Sequence, residues 1–458
     1  MTLGINTDVA TIIAQLAAAK TQSSITTSIQ QLSTGLGINS AQDDPAGLAI
    51  ASGMSSQLGG LDQSALNASF GISLAQTAGD ALSQATTALQ SARDLAVEAA
   101  NPSSTSTDRL ALDSQAQQLI QQVQSIATQT QFNGQNILDG SFGTAQFQVG
   151  ANAGQTVSAT TGNIQTSALG GYSATGATVP GNALSAGSLV LNGVSVPATA
   201  DGQASTISAA VNSVSDQTNV TATAATSVTG GVATANAATS ATDIQINGVY
   251  IPAVTGGTSG SSEAAQVANS INQVESSTGV TATVTPLNQI TLSNNTGADI
   301  VVTSTANGAT ASGLTSGNAA GAITLDSPAS FSIAGSLPTA AGLTATSSSG
   351  TLQPLDSVSL QTSAGANQAI TTIDGALAQI NGLQASVGAV ETHFQAAVST
   401  AQSSAQNLTS ALSGVQDTDF AAASANLSKQ RILEQASVAM LAQANAHPQQ
   451  VLALLKTA

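Results

Sequence analysis

The sequence predicts an α+β chain. Its N- and C-terminal segments form a long α-helical coiled coil or bundle, with a β-hairpin and β-rich outer insert domains between them. Three observations predict this. Apolar residues recur every three or four positions at both ends. The middle switches to short β-branched runs between Gly, Ser, Thr and Asn clusters. One strand–turn motif occurs twice within that middle.

Ile5, Val9, Ile12, Leu16 and Ala19 are spaced by 4, 3, 4 and 3 residues, and Ile25, Ile29, Leu32 and Leu36 resume the stripe after a shift. This is coiled-coil spacing. The stripe is narrow and nearly uncharged, so such a helix is marginal alone. Gly35-Leu36-Gly37 interrupts it, and Asp43-Asp44-Pro45 offers a new helix start, with Pro in the first turn and acids favoured by the helix dipole. A long helical pattern then runs to Asn101, where Asn101-Pro102-Ser103-Ser104 breaks it. A further helix covers about 108–130. Phe132-Asn133-Gly134 turns the chain, and 147–150 with 155–157 read as a hairpin.

From about 170 to 360 the strands are short. Leu191-Asn192-Gly193-Val194 matches Ile246-Asn247-Gly248-Val249, and each copy continues into a helical stretch and then a strand ending Val-Thr-Ala-Thr. The unit reads as strand, Asn-Gly turn, strand, helix, strand. Residues 289–292 and 299–302 predict a further hairpin. Helical periodicity returns from Ile370 to Leu412. After Asp417-Thr418-Asp419 a last helix carries Leu427, Ile432, Leu433, Leu441, Val451 and Leu454, with an interruption expected at Pro448.

The expected organisation is 1–36 with 415–458 as a terminal coiled-coil core, and 37–165 with 365–414 as a helical bundle plus hairpin. Residues 166–364 form the variable outer region, with repeats at about 186–225 and 241–285. Neither terminal stripe can be buried alone, so the chain goes out along one end and returns beside it. Apolar surface is then left over at the terminal end. It must meet other copies, and a contact that does not close on itself builds a helical filament. The residues expected in that contact are Ile5, Val9, Ile12, Leu16, Ile29, Leu32, Leu427, Ile432, Leu433, Leu441, Val451 and Leu454.

Composition narrows the function. Only 6% of the 458 residues are charged, against roughly 25% in typical soluble domains. The net charge is −17, and no Lys or Arg occurs between Arg109 and Lys429. Such a chain repels nucleic-acid phosphates and anionic lipid. It has no cysteine, hence no disulfide and no thiolate metal site. Its two histidines, His393 and His447, form no metal-ligand pair, and no Gly-rich loop is followed by Lys as a phosphate cradle requires. The Asp43-Asp44 pair lacks a nearby base or nucleophile and reads as a helix start. No catalytic residue, cofactor or metal is expected. The first residues lack the features of a cleaved leader, and no apolar run reaches membrane-spanning length.

The residues at 5–9, 32–51, 67–77, 93–101, 130–134 and 147–152 resemble bacterial flagellin, as do 426–436, 441–445 and 448–455 near the other end. Within these motifs the family's core positions correspond to Asn39, Asp43, Asp44, Arg93, Leu95, Phe132, Asn133 and Gly134. The resemblance covers about 1–160 and 365–458, and the two Asn-Gly repeats resemble the insert module of flagellins and hook-associated proteins. It implies a self-polymerising subunit of the extracellular flagellar filament, exported by the flagellar type III apparatus without a cleaved signal. The implied partners are an export chaperone, a distal cap and hook-associated proteins. It also implies terminal segments that order on assembly, and an outer region that projects away. Gly37 and Gln42 stand where the family commonly has Arg and Lys. Ser91 and Gln115 stand where flagellins sensed by a vertebrate innate immune receptor carry Arg and Glu, which implies weak recognition. A hook–filament junction protein, or a flagellin-like surface adhesin or polysaccharide receptor, is the alternative reading.

Overall fold

The computed structural model describes residues 9–344 and 350–457, the side chains from 447 onward excepted. The chain divides into two compact units: 1–74 with 146–159 and 389–458, and 75–145 with 160–388.

In the first unit, α1 (Val9–Thr34) packs against α10 (Phe420–Thr457). Among the side chains of α1 that lose solvent, Thr11, Ala14, Ala18, Thr21, Ile25, Ser28 and Leu32 recur in steps of three and four, with Ser24 and Gln31 beside them. Those of α10 are Ala423, Leu427, Gln430, Glu434, Ser437, Leu441 and Ala444, again in that step. This is a heptad seam in which small and polar side chains, which let two helices approach closely, alternate with Ile25, Leu32, Leu427 and Leu441. The predicted stripe of Val9, Ile12 and Leu16 is therefore not the seam. It lies on the opposite side of α1, because the seam's phase is set by Thr11, Ala14 and Ala18.

Gly35 ends α1. It takes a left-handed φ of 77° and returns its N–H to Gln31 O, the conformation glycine adopts without a Cβ penalty. The next residues lie against the break between α9 (Ser363–Gln416) and α10. Leu36 bridges Asp417, Gly37 N–H donates to Gln416 O, and Thr418 N–H donates to Gly35 O. The helix start expected at Asp43-Asp44-Pro45 divides its labour. Asp44 Oδ1 accepts the amides of Ala46 and Gly47, capping α2 (Pro45–Ala100), whereas Asp43 accepts those of Asn39 and Ser40 and closes the preceding turn. Further along, Phe394 of α9 is fully buried against Gly71 of α2, where a Cβ would meet its ring. Phe147 stands edge-on to it, with centroids 5.2 Å apart at 83°. Truncating such a ring to Ala costs about 3–5 kcal/mol.

Phe147 lies on β3 (Thr144–Gln148), which pairs with β4 (Thr156–Thr160) as the expected hairpin. The last helix runs to Thr457 without a break, contrary to the interruption expected at Pro448. Proline removes one backbone donor, and the helix continues through it because the flanking turns keep theirs.

In the second unit α2 continues with α3 (Ser106–Gln129) and the start of α9. Ala78, Leu82, Ala85, Leu89, Ala92, Ala96 and Ala99 are fully buried in unbroken steps of four and three. Thr105 and Asp108 form a capping box on α3, and Arg109 donates to Ala99 O and Asn101 O at the end of α2. The turn at Asn133-Gly134, both with positive φ, joins β1 (Gln131–Phe132) to β2 (Gln135–Asn136).

Beyond β5 (Gly170–Thr178) come the two repeats. The first contains β6 (Val190–Leu191), β7 (Val194–Ser195), α4 (Ala204–Asn212), α5 (Ser215–Thr218) and β8 (Thr221–Val232). The second contains β9 (Ile244–Ile246), β10 (Val249–Tyr250), α6 (Gly260–Asn272), α7 (Glu275–Thr278) and β11 (Thr281–Val284). Each Asn-Gly asparagine has a left-handed φ and ties its module together. Asn192 donates to Thr218 O and accepts from Ser332 N–H; Asn247 donates to Thr278 O and accepts from Val301 N–H. Asn212 and Asn272 likewise bind the backbone of Ala222 and Ala282 at both ends of the amide.

The expected hairpin of 289–292 with 299–302 does not form. β12 (Gln289–Asn294) has both edges taken, by β11 and β8, so β13 (Ile300–Ser304) joins β9 instead, followed by α8 (Ala306–Ser312) and β14 (Gly317–Ala319). The remaining strands are β15 (Ala322–Ser327), β16 (Ile333–Ala334) and β17 (Thr351–Pro354). The six-stranded sheet runs β11-β12-β8-β15-β5-β17.

This order shows that the repeats are nested. In the first module β15 lies between β5 and β8; in the second β12 lies between β8 and β11. Both central strands carry a register shift near their start, at 322–324 and 289–291. Gly342 O accepts from Ala177 N–H in one, and Gly313 O from Gly231 N–H in the other. The second module is thus inserted between β8 and β15 of the first, and β8 serves both.

Candidate assembly surface

The outer face of α1 is built from Val9, Ile12, Ile13 and Leu16, all exposed, with Leu16 at 65%. Their spacing puts them on one side of the helix, away from the seam. On α10 the exposed large side chains are Phe420, Ile432, Leu433, Val438 and Met440, Ile432 at 66%. Exposed apolar groups this dense are uncommon on a surface meant for water, which makes these faces the candidate contact surface. Charge is sparse along them: the described part of α1 carries only Lys20, and α10 has Lys429, Arg431 and Glu434 beside Ile432 and Leu433 but none between Glu434 and Ala446.

Of the residues expected in the contact, Val9, Ile12, Leu16, Ile29, Ile432 and Leu433 are exposed. Leu32, Leu427 and Leu441 are half-buried along the seam. Ile5 lies outside the described residues, as do the side chains of Val451 and Leu454. Sequence reasoning did not place Ile13, Phe420, Val438 and Met440 in this set. A helical wheel phased on Thr11, Ala14 and Ala18 would have found Ile13, because it places the large residues together.

The positions expected to form the core motif lie at the helix junctions, in the bundle and in the β1–β2 turn. Asn39 donates to Leu36 O. Hydrogen bonds from Ser40, then Asn39, hold the Asp43 carboxyl below its ordinary pKa. Arg93 of α2 grips Asp374 of α9 with two hydrogen bonds, the shorter 2.6 Å. That pairing raises the guanidinium further. Leu95 and Phe132 are half-buried, and Asn133 and Gly134 make the β1–β2 turn.

Among the described residues no three His, Asp or Glu side chains gather as metal ligands, and no helix is long and apolar enough to cross a membrane. His393 is exposed. An open hollow beside β1 and β2, lined by Gln131, Gln135, Asn136, Ser141, Phe142 and Thr144, has no titratable side chain in its wall.

Residues 5–143 match the bacterial flagellin N-terminal helical region, and residues 370–455 match the C-terminal one. The B-type flagellin of Pseudomonas aeruginosa is 34% identical, with all of both chains covered. The flagellin of Salmonella typhimurium is 31% identical, with 99% of each chain covered. Among solved structures, FliC from Burkholderia pseudomallei aligns with 24% identity and a TM-score of 0.32, covering 70% of this chain and 99% of that one. With two family regions matched at the two helical ends, and relatives aligned over the whole length, the chain belongs to the bacterial flagellin family.

Proposed function

We propose that this flagellar filament subunit adds to the growing polymer through the outer faces of α1 and α10. The observation that carries this reading is the exposure of Val9, Ile12, Ile13 and Leu16 on the side of α1 opposite its seam. The seam holds the two helices of one chain, and the large side chains outside it remain for neighbouring copies. Burying apolar surface contributes roughly 25 cal/mol per Å², and the filament repeats the contact at every subunit. On this reading 1–36 with 415–458 form the terminal core, 37–165 with 365–414 the supporting bundle, and 166–364 the projecting region. The contact is structural, and the chain is not an enzyme.

The test is a double substitution, Ile12→Asp with Leu16→Asp. Both side chains are solvent-exposed in the single chain, so its fold and melting temperature should be unchanged. Growth from filament seeds should fall at least about 100-fold, because buried unpaired carboxylates are strongly unfavourable. Growth at the wild-type rate would reject the surface.

The remaining partners on this reading are a chaperone during export by the flagellar apparatus, a distal cap and hook-associated proteins, which membership of the flagellin family supports. Recognition by a vertebrate innate immune receptor is weak on this reading, because the exposed positions 91 and 115 hold Ser and Gln. A reporter-cell assay should show reduced potency relative to the Salmonella typhimurium flagellin; equal potency would contradict it.

A further inference from the structure

The chain has no cysteine and no tryptophan, so methionine thioethers are its softest groups toward two-electron oxidants. There are three: Met1, Met54 and Met440. Met1 lies outside the described residues, and Met54 is half-buried on α2. Met440 is 65% exposed on α10. It follows Leu433 and Ala436 at steps of three and four, so the three share one apolar stripe beside the seam.

We propose that Met440 is an oxidation site that blocks addition of the free subunit, and that assembly shields it. This rests on the reading of the outer helix faces as the assembly contact. The Met440 sulfur attacks one oxygen of a hydroperoxide, here hydrogen peroxide. An S–O bond forms and the O–O bond breaks. The departing hydroxide takes the proton from the transferred oxygen and leaves as water. Sulfur is oxidised by two electrons, and the peroxide is reduced by two. The product sulfoxide is a strong acceptor on what was an apolar side chain. In water it is solvated, so the single chain keeps its fold. Against a neighbour's apolar face it has no donor, and its burial is penalised. The device therefore acts on subunits before they join, when Met440 is open, and not on those already in the filament.

The experiment treats full-length monomer and finished filaments with hydrogen peroxide. Oxidation is located by peptide mass spectrometry, and seeded growth is followed. Oxidised wild-type monomer should show a critical concentration raised about tenfold or more. Met440→Leu, which keeps Met1 and Met54, should grow equally with and without peroxide. Met440→Gln, a polar mimic of the sulfoxide, should match the oxidised wild type. In treated filaments Met440 should stay reduced. Equal growth of oxidised and untreated wild type overturns the proposal, as does equal oxidation of Met440 in filament and monomer. If that happens while the Ile12→Asp, Leu16→Asp chain fails to grow, the assembly surface stands and only the oxidation site falls. If that double variant grows normally, the surface itself is wrong, and this inference falls with it.

Discussion

Asp326 sits on β15 opposite Thr221 of β8 and Ser173 of β5, and only 5% of it reaches solvent. Burial pushes its carboxyl pKa up from 3.8; the Ser173 hydroxyl opposes this weakly, since Ser173 Oγ makes no hydrogen bond. The consequence for stability has a definite sign. A carboxyl raised in the fold costs stability above its folded pKa, where it is ionised. The cost disappears as pH falls toward the unfolded value. Asp43, Asp108, Asp139 and Asp243 act oppositely. Hydrogen bonds hold each below 3.8, so their contribution is present above that value and is lost as pH falls through their folded pKa. Asp326→Asn should therefore raise the melting temperature at pH 7 and leave it unchanged or lower near pH 3.5. A variant less stable than wild type at pH 7 would show that Asp326 is held by a partner as the anion. Single residues were only partly legible in the sequence. Asp43-Asp44 announced a helix start, but which acid caps the helix depends on the turn geometry of 39–44. Arg93 was legible as a family position, yet its partner Asp374 lies 281 residues away.

At the scale of elements, helices were easier to read than sheet partners. Helical bonds are local, so three- and four-residue periodicity marks α2, α3 and α9 closely. Strand pairing is not local. The Asn-Gly repeats were visible, and the structure adds that one module interrupts the other. The matching Val-Thr-Ala-Thr strands gave no sign of this, because β8 belongs to both modules. The hairpin expected at 289–302 failed for the same reason: β12 already had two partners.

Nesting makes a concrete prediction. Ala224 of β8 pairs with Ile323, as Val284 of β11 pairs with Ile290. The second module closes this step with the turn Thr285-Pro286-Leu287-Asn288-Gln289. Replacing residues 225–322 by that five-residue turn should leave a soluble chain whose first module keeps its core of Leu189, Leu191, Ile207, Val211, Ile323 and Leu325. Retained amide protection in β15 and α4 by hydrogen exchange checks it. Loss of protection throughout 170–344 would show that the modules fold only together.

For the whole molecule, the sequence stripe and the structure point to the same residues for different reasons. Heptad spacing in 5–19 implied a helix that pairs with its counterpart at the other end. The structure pairs α1 with α10 through Thr11, Ala14, Ala18, Ile25, Ser28 and Leu32, and turns Val9, Ile12 and Leu16 outward. Hydrophobic spacing reports which face is buried somewhere, not by which chain. The two helical ends are therefore read as satisfied twice, by a close seam of mixed side chains within one subunit and by apolar contact between subunits. An electron cryomicroscopy map of the native filament at side-chain resolution tests this most directly. The account predicts Ile12, Leu16, Ile432 and Leu433 buried between neighbouring subunits, with Thr11, Ala14, Ala18 and Ser28 facing α10 of the same chain. A map in which Ile12 and Leu16 face solvent, or pack on α10 of their own chain, would contradict it.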